Sequence, residues 1–596
     1  MVQGVLMRQS LLQGQHRSQS CPLRTKAFAR PSRSTRRIES AAQPSQRSSS
    51  SPRKRDISAD ALAGYSRGVQ LDTKQEGVGG LPTDKDAQDS RTFRKTKIVC
   101  TIGPTSCSRE NLFRLADEGM SVVRLNMSHG DHKSHKAVVD LVREYNALDR
   151  GNLAIMLDTK GPEVRSGDLS EPIDMKAGDR FVFTIEEGAN GHNGRISVNY
   201  DGFIEDVSVG DILLVDGGLQ SLKITSKDGK DVHTEVVDGG TMKSRRHLNI
   251  RGKSANLPAI TERDWLDIKF GVDVGVDYYA LSFVRNADVI YELKRWLSQQ
   301  GAAIGVLAKI ESADSVGNLE DILDAVDGAM VARGDLGAEL PVEEVPYWQS
   351  KIVQGCRKRG KPVIVATNML ESMIDNPTPT RAEVSDIAIA VREGADAVML
   401  SGESAYGKFP FKAVDVMSTV AQRTESAMLR FSGTRRYGSE EAEPIDWIVS
   451  PSTSASPGFM TSPGLSEMFA YHAVTMANTI KTSLIVFSRK GNMPALLSHY
   501  RPDALIYAFT ENRAVQRRLA LYHGITALHM RFGETADETF ERAIQELKAR
   551  GFLVGGQQVG IVQSGRQPIW RAASTHAIQV RTVERDPDPM DSSDDN

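Results

Sequence analysis

The feature that most constrains the fold of this chain is a rhythm of eight short apolar runs separated by helical segments. These runs are rich in β-branched residues, and six of them bring polar residues to their carboxyl ends. They are "TKIVCTIG" (96–103), "SVVRLNMS" (121–128), "NLAIMLDT" (152–159), "YYALSF" (278–283), "IGVLAKI" (304–310), "GAMVAR" (328–333), "PVIVATN" (362–368) and "AVMLSGE" (397–403). Buried strands that alternate with helices are typical of a parallel sheet. Eight such units predict an α/β fold built on a (β/α)8 TIM barrel.

Two other regions predict further domains. Residues 167–253 are rich in Gly, Asp, Val and Ile and contain frequent turn signals, which predicts a small all-β domain inserted into the barrel. Alternating helices and strands return at 466–584 and predict a C-terminal α/β domain with its own core. The barrel is then expected at 91–166 and 254–430, and a Pro/Ser/Gly-rich connection at 431–465.

The N-terminal segment has its own composition. Residues 1–55 contain twelve Lys/Arg, one acidic residue and many serines, which is typical of an organelle transit peptide. Residues 56–90 are predicted to be a linker and 585–596 an acidic tail. A nucleic-acid-binding basic tail is the alternative for the leader, but the acidic remainder of the chain disfavours a nucleic-acid partner.

Composition also limits the environment of the protein. No apolar run approaches the ~20 residues that a membrane helix needs, so no membrane partner is expected. The four cysteines, Cys21, Cys100, Cys107 and Cys356, are scattered without metal-ligand spacing. This pattern favours a reducing compartment over a disulfide scaffold.

Lys309 and Glu311 raise the central chemical question, because they share one face of an apolar strand. A buried charge is unfavourable unless it is paired or used. Active sites of (β/α)8 barrels lie at the carboxyl ends of the strands. Five other predicted strands end at that face in further residues, which are polar apart from two glycines: Arg124, Asn126, Ser128, His129, Asp158, Thr159, Lys160, Arg333, Gly334, Asp335, Thr367, Asn368, Ser401, Gly402 and Glu403. We therefore predict an active site at this end of the barrel.

These residue types favour phosphoryl transfer. Glu311 and Asp335 are hard oxygen ligands on adjacent strand ends and suit Mg²⁺. Arg124, Arg165 and Lys309 supply positive charges around the same mouth, where they can stabilise a migrating phosphoryl group. The segment "ARGDLG" predicts a glycine turn before a helix whose amides face an anion. The chain contains no GxxxxGK[ST] motif, so it is not a P-loop enzyme.

At this point the motifs resemble those of pyruvate kinase. Those that match, in order, are "KTKIVCTIGPTS", "RLNMSHG", "LDTKGPEVR", "LAKIES", "MVARGDLGAELP", "ATNMLESM", "PTRAEVSDIA" and "MLSGES", and with the domain order they cover residues 92 to about 583. The resemblance implies transfer of the phosphoryl group of phosphoenolpyruvate to ADP, giving pyruvate and ATP. It also implies a β-domain lid over the barrel mouth and, usually, a homotetramer.

The resemblance further implies a role for each matched residue. Lys309 would stabilise the migrating phosphoryl group, and the other catalytic residues would be Arg124, Thr367 and Ser401. Thr367, with Ser401 nearby, would take part in protonating the enolate. The substrate-binding set would be Arg124, Lys309, Gly334, Asp335 and Thr367. The nucleotide contacts would be Asn126, His129, Arg165 and Arg246. For His129 the alternative reading is a helix cap.

Two cation sites are implied in the same way. Mg²⁺ (or Mn²⁺) would be held by Glu311 and Asp335. A K⁺ ion would be held by Asn126, Ser128, Asp158 and Thr159. Glu163, in "GPEVR", is the residue type that accompanies K⁺ dependence in the family.

Some residues depart from the family pattern. Gly217 stands where many relatives have an aspartate credited with lid closure, Asn368 where many have glutamine, and Arg246 where they often have lysine. The segments "SRKGNMP" and "QSGRQPIW" do not match loops that bind fructose 1,6-bisphosphate, so that control is not expected. "SEMFAYHAVTMANT" and "RGKSANLP" are similar to the plastid-type branch of plants and algae. With the leader, they predict the plastid stroma rather than the mitochondrion or cytoplasm.

Two other functions remain open at this point. A lysine-dependent aldolase or lyase would use Lys309 as a Schiff base, but the neighbouring Glu311 favours the charged lysine. A non-catalytic regulatory subunit of a pyruvate kinase complex is left open by Gly217 and by the unmatched effector loops. A homo-oligomer and a hetero-oligomer are both compatible with the sequence.

Overall fold

The computed structural model describes residues 94–252, 257–434, 464–564 and 576–585. The predicted leader at 1–55 and linker at 56–90 lie outside these residues. Most of the 431–465 connection and nearly all of the 585–596 tail also lie outside them. The expectations for those segments stay predictions.

The first described region supplies three strands and two helices of the barrel. They are β1 (Lys97–Thr101), β2 (Val122–Asn126), β3 (Ala154–Asp158), α1 (Arg109–Asp117) and α2 (His132–Ala147). Ser108 caps α1, and Asp131 forms a capping box with Ser134 at the start of α2. The capping residues therefore fix where each helix leaves the strand-end loops.

The chain then leaves the barrel to form the inserted β-domain. Its elements are β4 (Ile173–Met175), β5 (Arg180–Thr184), β6 (Arg195–Ser197), α3 (Phe203–Asp206), β7 (Ile212–Val215), β8 (Gln220–Asp228), β9 (Asp231–Asp238), β10 (Gly240–Met242) and β11 (Leu248–Ile250). Six strands form one sheet in the order β11-β7-β8-β9-β5-β6, and β10 pairs with β4. Phe181, Phe183 and Phe203 pack in its separate core.

The second part of the barrel alternates strand and helix as predicted. Its strands are β12 (Tyr278–Leu281), β13 (Gly305–Ile310), β14 (Gly328–Ala332), β15 (Val363–Ala366) and β16 (Ala397–Leu400). Its helices are α4 (Glu262–Val274), α5 (Ala287–Gln299), α6 (Ala313–Gly317), α7 (Leu319–Ala325), α8 (Arg333–Glu339), α9 (Val345–Lys358), α10 (Arg381–Glu393), α11 (Gly402–Ala405) and α12 (Pro410–Thr434).

All eight predicted barrel strands are present and close on themselves. The strand order is β1-β16-β15-β14-β13-β12-β3-β2, and every neighbouring pair is parallel. Helix α10 begins at a capping box, in which Thr380 Oγ1 accepts a hydrogen bond from the Glu383 amide and the Glu383 carboxylate accepts one from the Thr380 amide. Parallel closure carries the carboxyl ends of all eight strands to one face of the barrel.

The C-terminal α/β domain is also confirmed. It contains α13 (Leu465–Ile480), β17 (Leu484–Phe487), α14 (Asn492–His499), β18 (Ile506–Thr510), α15 (Arg513–Arg518), β19 (Ile525–His529), α16 (Ala536–Ala549), β20 (Gln558–Ser564) and β21 (His576–Thr582). The sheet order is β19-β18-β17-β20-β21, and only β21 runs antiparallel to its neighbour. The sequence motifs predicted the parallel strands but did not predict β21.

The C-terminal domain contacts the amino ends of the barrel strands, opposite the predicted active site. Arg517 Nε lies 2.9 Å from Asp277 Oδ1, and Arg501 Nη1 lies 2.9 Å from Asp396 Oδ1. Asp277 also accepts a hydrogen bond from the Ile155 amide at 2.9 Å. Each carboxylate therefore ties a barrel strand to the C-terminal domain.

None of the described helices is long and apolar enough to cross a membrane. Within the same residues, Cys100, Cys107 and Cys356 have free thiols.

Candidate active site

At the carboxyl ends of β2, β3 and β13, the side chains of Arg124 and Lys309 form ion pairs with buried carboxylates. Arg124 Nε donates to Asp158 Oδ2 at 2.6 Å. Lys309 Nζ lies 3.1 Å from Glu311 Oε2 and 3.3 Å from Asp158 Oδ1. Asp158 is 1% exposed and Glu311 is fully buried, so these charges lie in a medium that screens them weakly. The predicted pairing of Lys309 with Glu311 is present, and Asp158 joins it to Arg124.

The surroundings of Lys309 keep its side chain charged. Burial alone would lower the pKa of Lys309, but the carboxylates of Asp158, Glu311 and Asp335 hold it above its usual range. Schiff-base chemistry needs a lysine whose pKa is lowered. This arrangement therefore favours electrostatic stabilisation of an anion over the aldolase or lyase alternative.

Glu311 and Asp335 have the properties expected of divalent-metal ligands. The Phe283 amide donates to Glu311 Oε1 at 2.5 Å, whereas Oε2 accepts no hydrogen bond within the described part of the chain and lies 3.1 Å from the Lys309 ammonium. Burial raises the pKa of Glu311 although Lys309 opposes the shift, and the nearby Asp335 raises it further. A divalent cation would relieve this repulsion and bind Oε2, which accepts no hydrogen bond, so the residues fit Mg²⁺ or Mn²⁺.

The loop after β15 places Thr367 in a strained conformation. Thr367 has φ +65° and Asn368 has φ +56°, values that are unfavourable for residues other than glycine. Arg333 holds this loop, since its Nε donates to the Ala366 carbonyl at 3.0 Å and its Nη2 to the Thr367 carbonyl at 2.5 Å. Its Nη1 donates to Asp386 at 2.7 Å, which anchors the guanidinium. Strain retained in this way is typical of functional loops.

The "ARGDLG" segment differs from the prediction. Helix α8 begins at Arg333, so the expected glycine turn before the helix is wrong and Gly334 and Asp335 lie in its first turn. The Gly334 amide donates to Thr367 Oγ1 at 2.8 Å, and Thr367 Oγ1 donates to the Ala366 carbonyl at 2.7 Å. A side chain therefore supplies the acceptor for an N-terminal helix amide, which lets the helix begin earlier. Three residues of the predicted substrate set meet here.

Ser401 lies on the neighbouring loop after β16. Its amide donates to Glu403 Oε2 at 2.7 Å, and the Leu370 amide donates to Glu403 Oε1 at 3.0 Å. Glu403 is 1% exposed. This carboxylate joins the loop that carries Ser401 to the one that carries Thr367.

The four residues predicted to hold K⁺ lie on two adjacent strand ends. Asn126 and Asp158 are register partners of β2 and β3, and the Ser128 amide donates to Asn126 Oδ1 at 3.2 Å. Thr159 follows Asp158 directly and is 1% exposed. Together they offer amide, hydroxyl, carboxylate and main-chain oxygens, a donor set of hard oxygens that fits an alkali cation.

The two predicted nucleotide arginines lie where the inserted β-domain joins the barrel. Arg165 Nε donates to Glu163 Oε2 at 2.7 Å, and, although burial opposes it, this contact lowers the pKa of Glu163. Arg246 Nη1 lies 3.1 Å from Asp216 Oδ2, and its buried Nε has no partner among the described residues. The Ser166 amide donates to the Arg246 carbonyl at 2.9 Å, which links the two segments.

His129 and Gly217 lie in surroundings that bear on two expectations from the sequence. His129 is exposed, and Asp131 rather than His129 caps α2, so the helix-cap alternative for His129 is wrong. Gly217 has φ +70°, and a Cβ at this position would have no neighbouring atom within 4 Å. An aspartate would find room there, but it would adopt a backbone conformation that favours glycine.

Sequence reasoning missed Ser282 as a site residue. Lys309 Nζ donates to Ser282 Oγ at 2.7 Å, and Ser282 is fully buried. Ser282 is the polar residue that directly follows β12. A polar residue at the carboxyl end of a barrel strand is the same signal that identified the other candidate residues. Arg333 and Glu403 were noted only as polar strand ends, and their roles in holding loops depend on contacts between strands.

The closed barrel and the charged residues at the carboxyl ends of its strands are those of a phosphotransferase with a (β/α)8 catalytic domain. Residues 93–414 match the model of the pyruvate kinase barrel domain, and residues 467–579 match that of the pyruvate kinase alpha/beta domain. The chain belongs to the pyruvate kinase family.

Individual relatives agree with this assignment. The chain is 59% identical to Plastidial pyruvate kinase 2 of Arabidopsis thaliana over 491 residues, covering 82% of this chain and 81% of the relative. It is 58% identical to Pyruvate kinase isozyme G, chloroplastic, of Nicotiana tabacum, covering 82% and 84%. A crystal structure of a pyruvate kinase from Cryptosporidium parvum superposes with a TM-score of 0.73 at 32% identity, covering 84% of this chain and 100% of that one.

Proposed function

We propose that this protein transfers the phosphoryl group of phosphoenolpyruvate to ADP, giving pyruvate and ATP. The observation that carries the proposal is the charged Lys309, which is buried among Asp158, Glu311 and Ser282 at the barrel mouth. A fixed ammonium in a weakly screening site stabilises charge that develops on a migrating phosphoryl group. Family membership and the identity to relatives named pyruvate kinase support the same reaction.

In this proposal an oxygen of the ADP β-phosphate attacks phosphorus, and the bond from phosphorus to the enol oxygen breaks. Lys309 and Arg124 stabilise the phosphoryl charge, and the first turn of α8 with Gly334 and Asp335 orients the substrate carboxylate. The enolate that remains takes a proton at its methylene carbon to give pyruvate. Thr367 and Ser401 position the water that supplies this proton.

Two cation sites belong to the proposal. Glu311 and Asp335 would hold Mg²⁺ or Mn²⁺, which neutralises phosphate charge when bound. Asn126, Ser128, Asp158 and Thr159 would hold K⁺, with Glu163 as the residue that makes K⁺ necessary. Asn126, His129, Arg165 and Arg246 would contact the nucleotide.

The relatives also support a cellular setting. Several are named plastidial or chloroplastic, which indicates a plastid location, and we place the protein in the stroma. We also propose a tetramer of identical or related subunits. Exposed apolar side chains at Val342, 74% exposed, and Tyr347, 56% exposed, offer a surface that a neighbouring subunit would cover.

The experiment follows pyruvate formation from phosphoenolpyruvate and ADP in the presence of Mg²⁺, with lactate dehydrogenase as the coupling enzyme. We expect turnover that requires K⁺ and is lost when tetramethylammonium replaces it. Absence of turnover from folded protein, alone or mixed with candidate partner subunits, would reject catalysis and favour the regulatory-subunit alternative.

A further inference from the structure

Ser282 lies between Lys309 and the carboxyl end of β3, where Asp158 and Thr159 are two of the proposed K⁺ ligands. Its Oγ accepts a hydrogen bond from Lys309 Nζ at 2.7 Å and donates to the Thr159 carbonyl at 2.6 Å. Asp158 Oδ1 lies farther away, at 3.4 Å. A hydroxyl has one proton to donate, and the shorter contact assigns it to Thr159. The Ser282 hydroxyl therefore connects the Lys309 ammonium to the Thr159 main-chain carbonyl through two hydrogen bonds.

Ser282 also contacts Thr159 through its main chain. The Ser282 amide donates to Thr159 Oγ1 at 3.0 Å, and Ser282 and Thr159 are 0% and 1% exposed. A carbonyl oxygen has two lone pairs, so the Thr159 carbonyl can accept from Ser282 and still face a cation. Its direction is set by the hydroxyl that bonds to it.

Asp158 makes the position of Lys309 sensitive to a second cation. Asp158 Oδ2 is occupied by Arg124 at 2.6 Å, and Oδ1 lies 3.3 Å from Lys309 Nζ. A monovalent cation bound by Asp158 would share this carboxylate with Lys309 and repel the ammonium. Ser282 offers Lys309 a neutral acceptor that such a cation does not compete for.

We propose that Ser282 is a positioning residue that couples the K⁺ site to Lys309. Its hydroxyl orients the Thr159 carbonyl for the cation and holds the Lys309 ammonium in place when the cation is bound. Because coupling between two sites is reciprocal, one side chain then affects both K⁺ affinity and the placement of Lys309. The inference rests on the proposed K⁺ site and on the proposed role of Lys309.

The test is Ser282→Ala, which removes the hydroxyl and leaves the main-chain contact to Thr159. We expect kcat at saturating K⁺ to fall by about 10- to 100-fold, because a hydrogen bond to a charged group is lost. The K⁺ concentration for half-maximal activity should rise by about 10-fold on the same basis, while the KM for phosphoenolpyruvate should change little. A purely structural defect would not move the K⁺ midpoint.

A second readout does not depend on turnover. K⁺ that binds the folded protein raises its melting temperature relative to tetramethylammonium, and the increment reports affinity. This increment should shrink in Ser282→Ala. The matched control is Ser315→Ala, another fully buried serine, whose hydroxyl belongs to the capping box of α6. It should lower the melting temperature equally in both salts and leave the K⁺ increment unchanged.

The outcomes separate this inference from the proposed function. A wild-type K⁺ midpoint and a wild-type melting increment in Ser282→Ala would overturn the coupling while the enzyme assignment stood. Absence of a K⁺ increment in the wild-type protein would overturn it as well. Absence of pyruvate formation by the wild-type protein would reject the proposed function, and the melting increments would still decide whether Ser282 acts on the K⁺ site.

Discussion

At the scale of single residues, the site depends on charges that would be unfavourable elsewhere in a protein. Lys309 stays protonated because three carboxylates outweigh the effect of its burial. Glu311 differs from Lys309 because burial and the nearby Asp335 favour its neutral form. A bound metal ion stabilises the charged form of a carboxylate most strongly where burial has made that charge unfavourable. Both pKa values are raised, which favours the charged form of Lys309 and the neutral form of Glu311, so a charged ammonium lies beside a carboxylate that a metal ion would stabilise.

The raised pKa of Glu311 predicts pH-dependent metal binding. Because the pKa of Glu311 is raised, a proton competes with the metal at a higher pH than for an ordinary carboxylate. We expect the affinity of the substrate-free protein for Mn²⁺ to weaken as pH falls from about 8 to about 6, well above the usual Glu pKa of about 4.3. Electron paramagnetic resonance of free Mn²⁺ measures this. An affinity that is constant across that range would contradict the prediction, and Glu311→Gln is the control.

At the scale of elements, the strand-end loops owe their shapes to contacts that cross between strands. Arg333, at the start of α8, donates to carbonyls of the loop after β15 and so stabilises the positive φ of Thr367. The fork geometry of a guanidinium makes this possible, and a lysine has no equivalent. The position of Thr367 is thus set partly by its neighbouring strand.

Arg333→Lys should therefore impair catalysis without unfolding the protein. We expect kcat to fall by about 10- to 100-fold, because small displacements of a positioned group have effects of this size. Steady-state kinetics and the melting temperature measure the two effects separately. Arg359→Lys, which changes a guanidinium paired with Glu320 and Asp324 at the barrel surface, is the matched control and should retain activity. Equal losses in both variants would contradict the account.

The capping box of α10 gives a prediction about stability. Thr380→Ala removes a side-chain acceptor at the helix start and should lower the free energy of unfolding by about 1 kcal/mol. Thermal melting measures the change. Thr479→Ala, at an exposed position inside α13, is the control and should not destabilise, because alanine has the higher helix propensity. A larger loss in the control would contradict this interpretation.

Elements also show what the sequence could predict. The eight strands and the helices around them could be predicted because short apolar runs alternate regularly with helical segments and local caps mark the helices. Strand β21 lies within the domain predicted at 466–584 but was not itself predicted, because its antiparallel pairing with β20 depends on a contact between segments. Ser282 and Arg333 lie at predictable strand ends, but their partners lie on other strands, and closure of the barrel decides those contacts.

At the scale of the whole molecule, the amino ends of the barrel are fastened to the C-terminal domain by buried ionic contacts. Arg501 and Arg517 pair with Asp396 and Asp277. His499 lies near this interface, and burial, with the neighbouring Arg501 and Arg357, lowers the pKa of His499 to about 4. The folded molecule therefore keeps this histidine neutral at pH values where an unfolded chain would protonate it.

This predicts a loss of stability on mild acidification. A histidine in an unfolded chain has a pKa of about 6.5, whereas His499 in the folded protein has a pKa of about 4. Between these two pH values the unfolded state binds a proton at His499 and the folded state does not. The free energy of unfolding should fall as pH drops through this window. His499→Asn should reduce the fall in melting temperature between about pH 7 and about pH 5. His192→Asn, at an exposed site in the inserted β-domain, is the control. An unchanged pH dependence in His499→Asn would contradict the prediction.

The measurement that tests the account most directly is the kcat of Lys309→Met for pyruvate formation, with Mg²⁺ and K⁺ saturating. Methionine keeps an unbranched chain but removes the ammonium beside Glu311 and Asp158. We predict that kcat falls by at least about 100-fold while the protein stays folded, because a preorganised positive charge is lost from the transition state. A folded Lys309→Met variant that retains wild-type kcat would contradict the central claim that this lysine stabilises the migrating phosphoryl group.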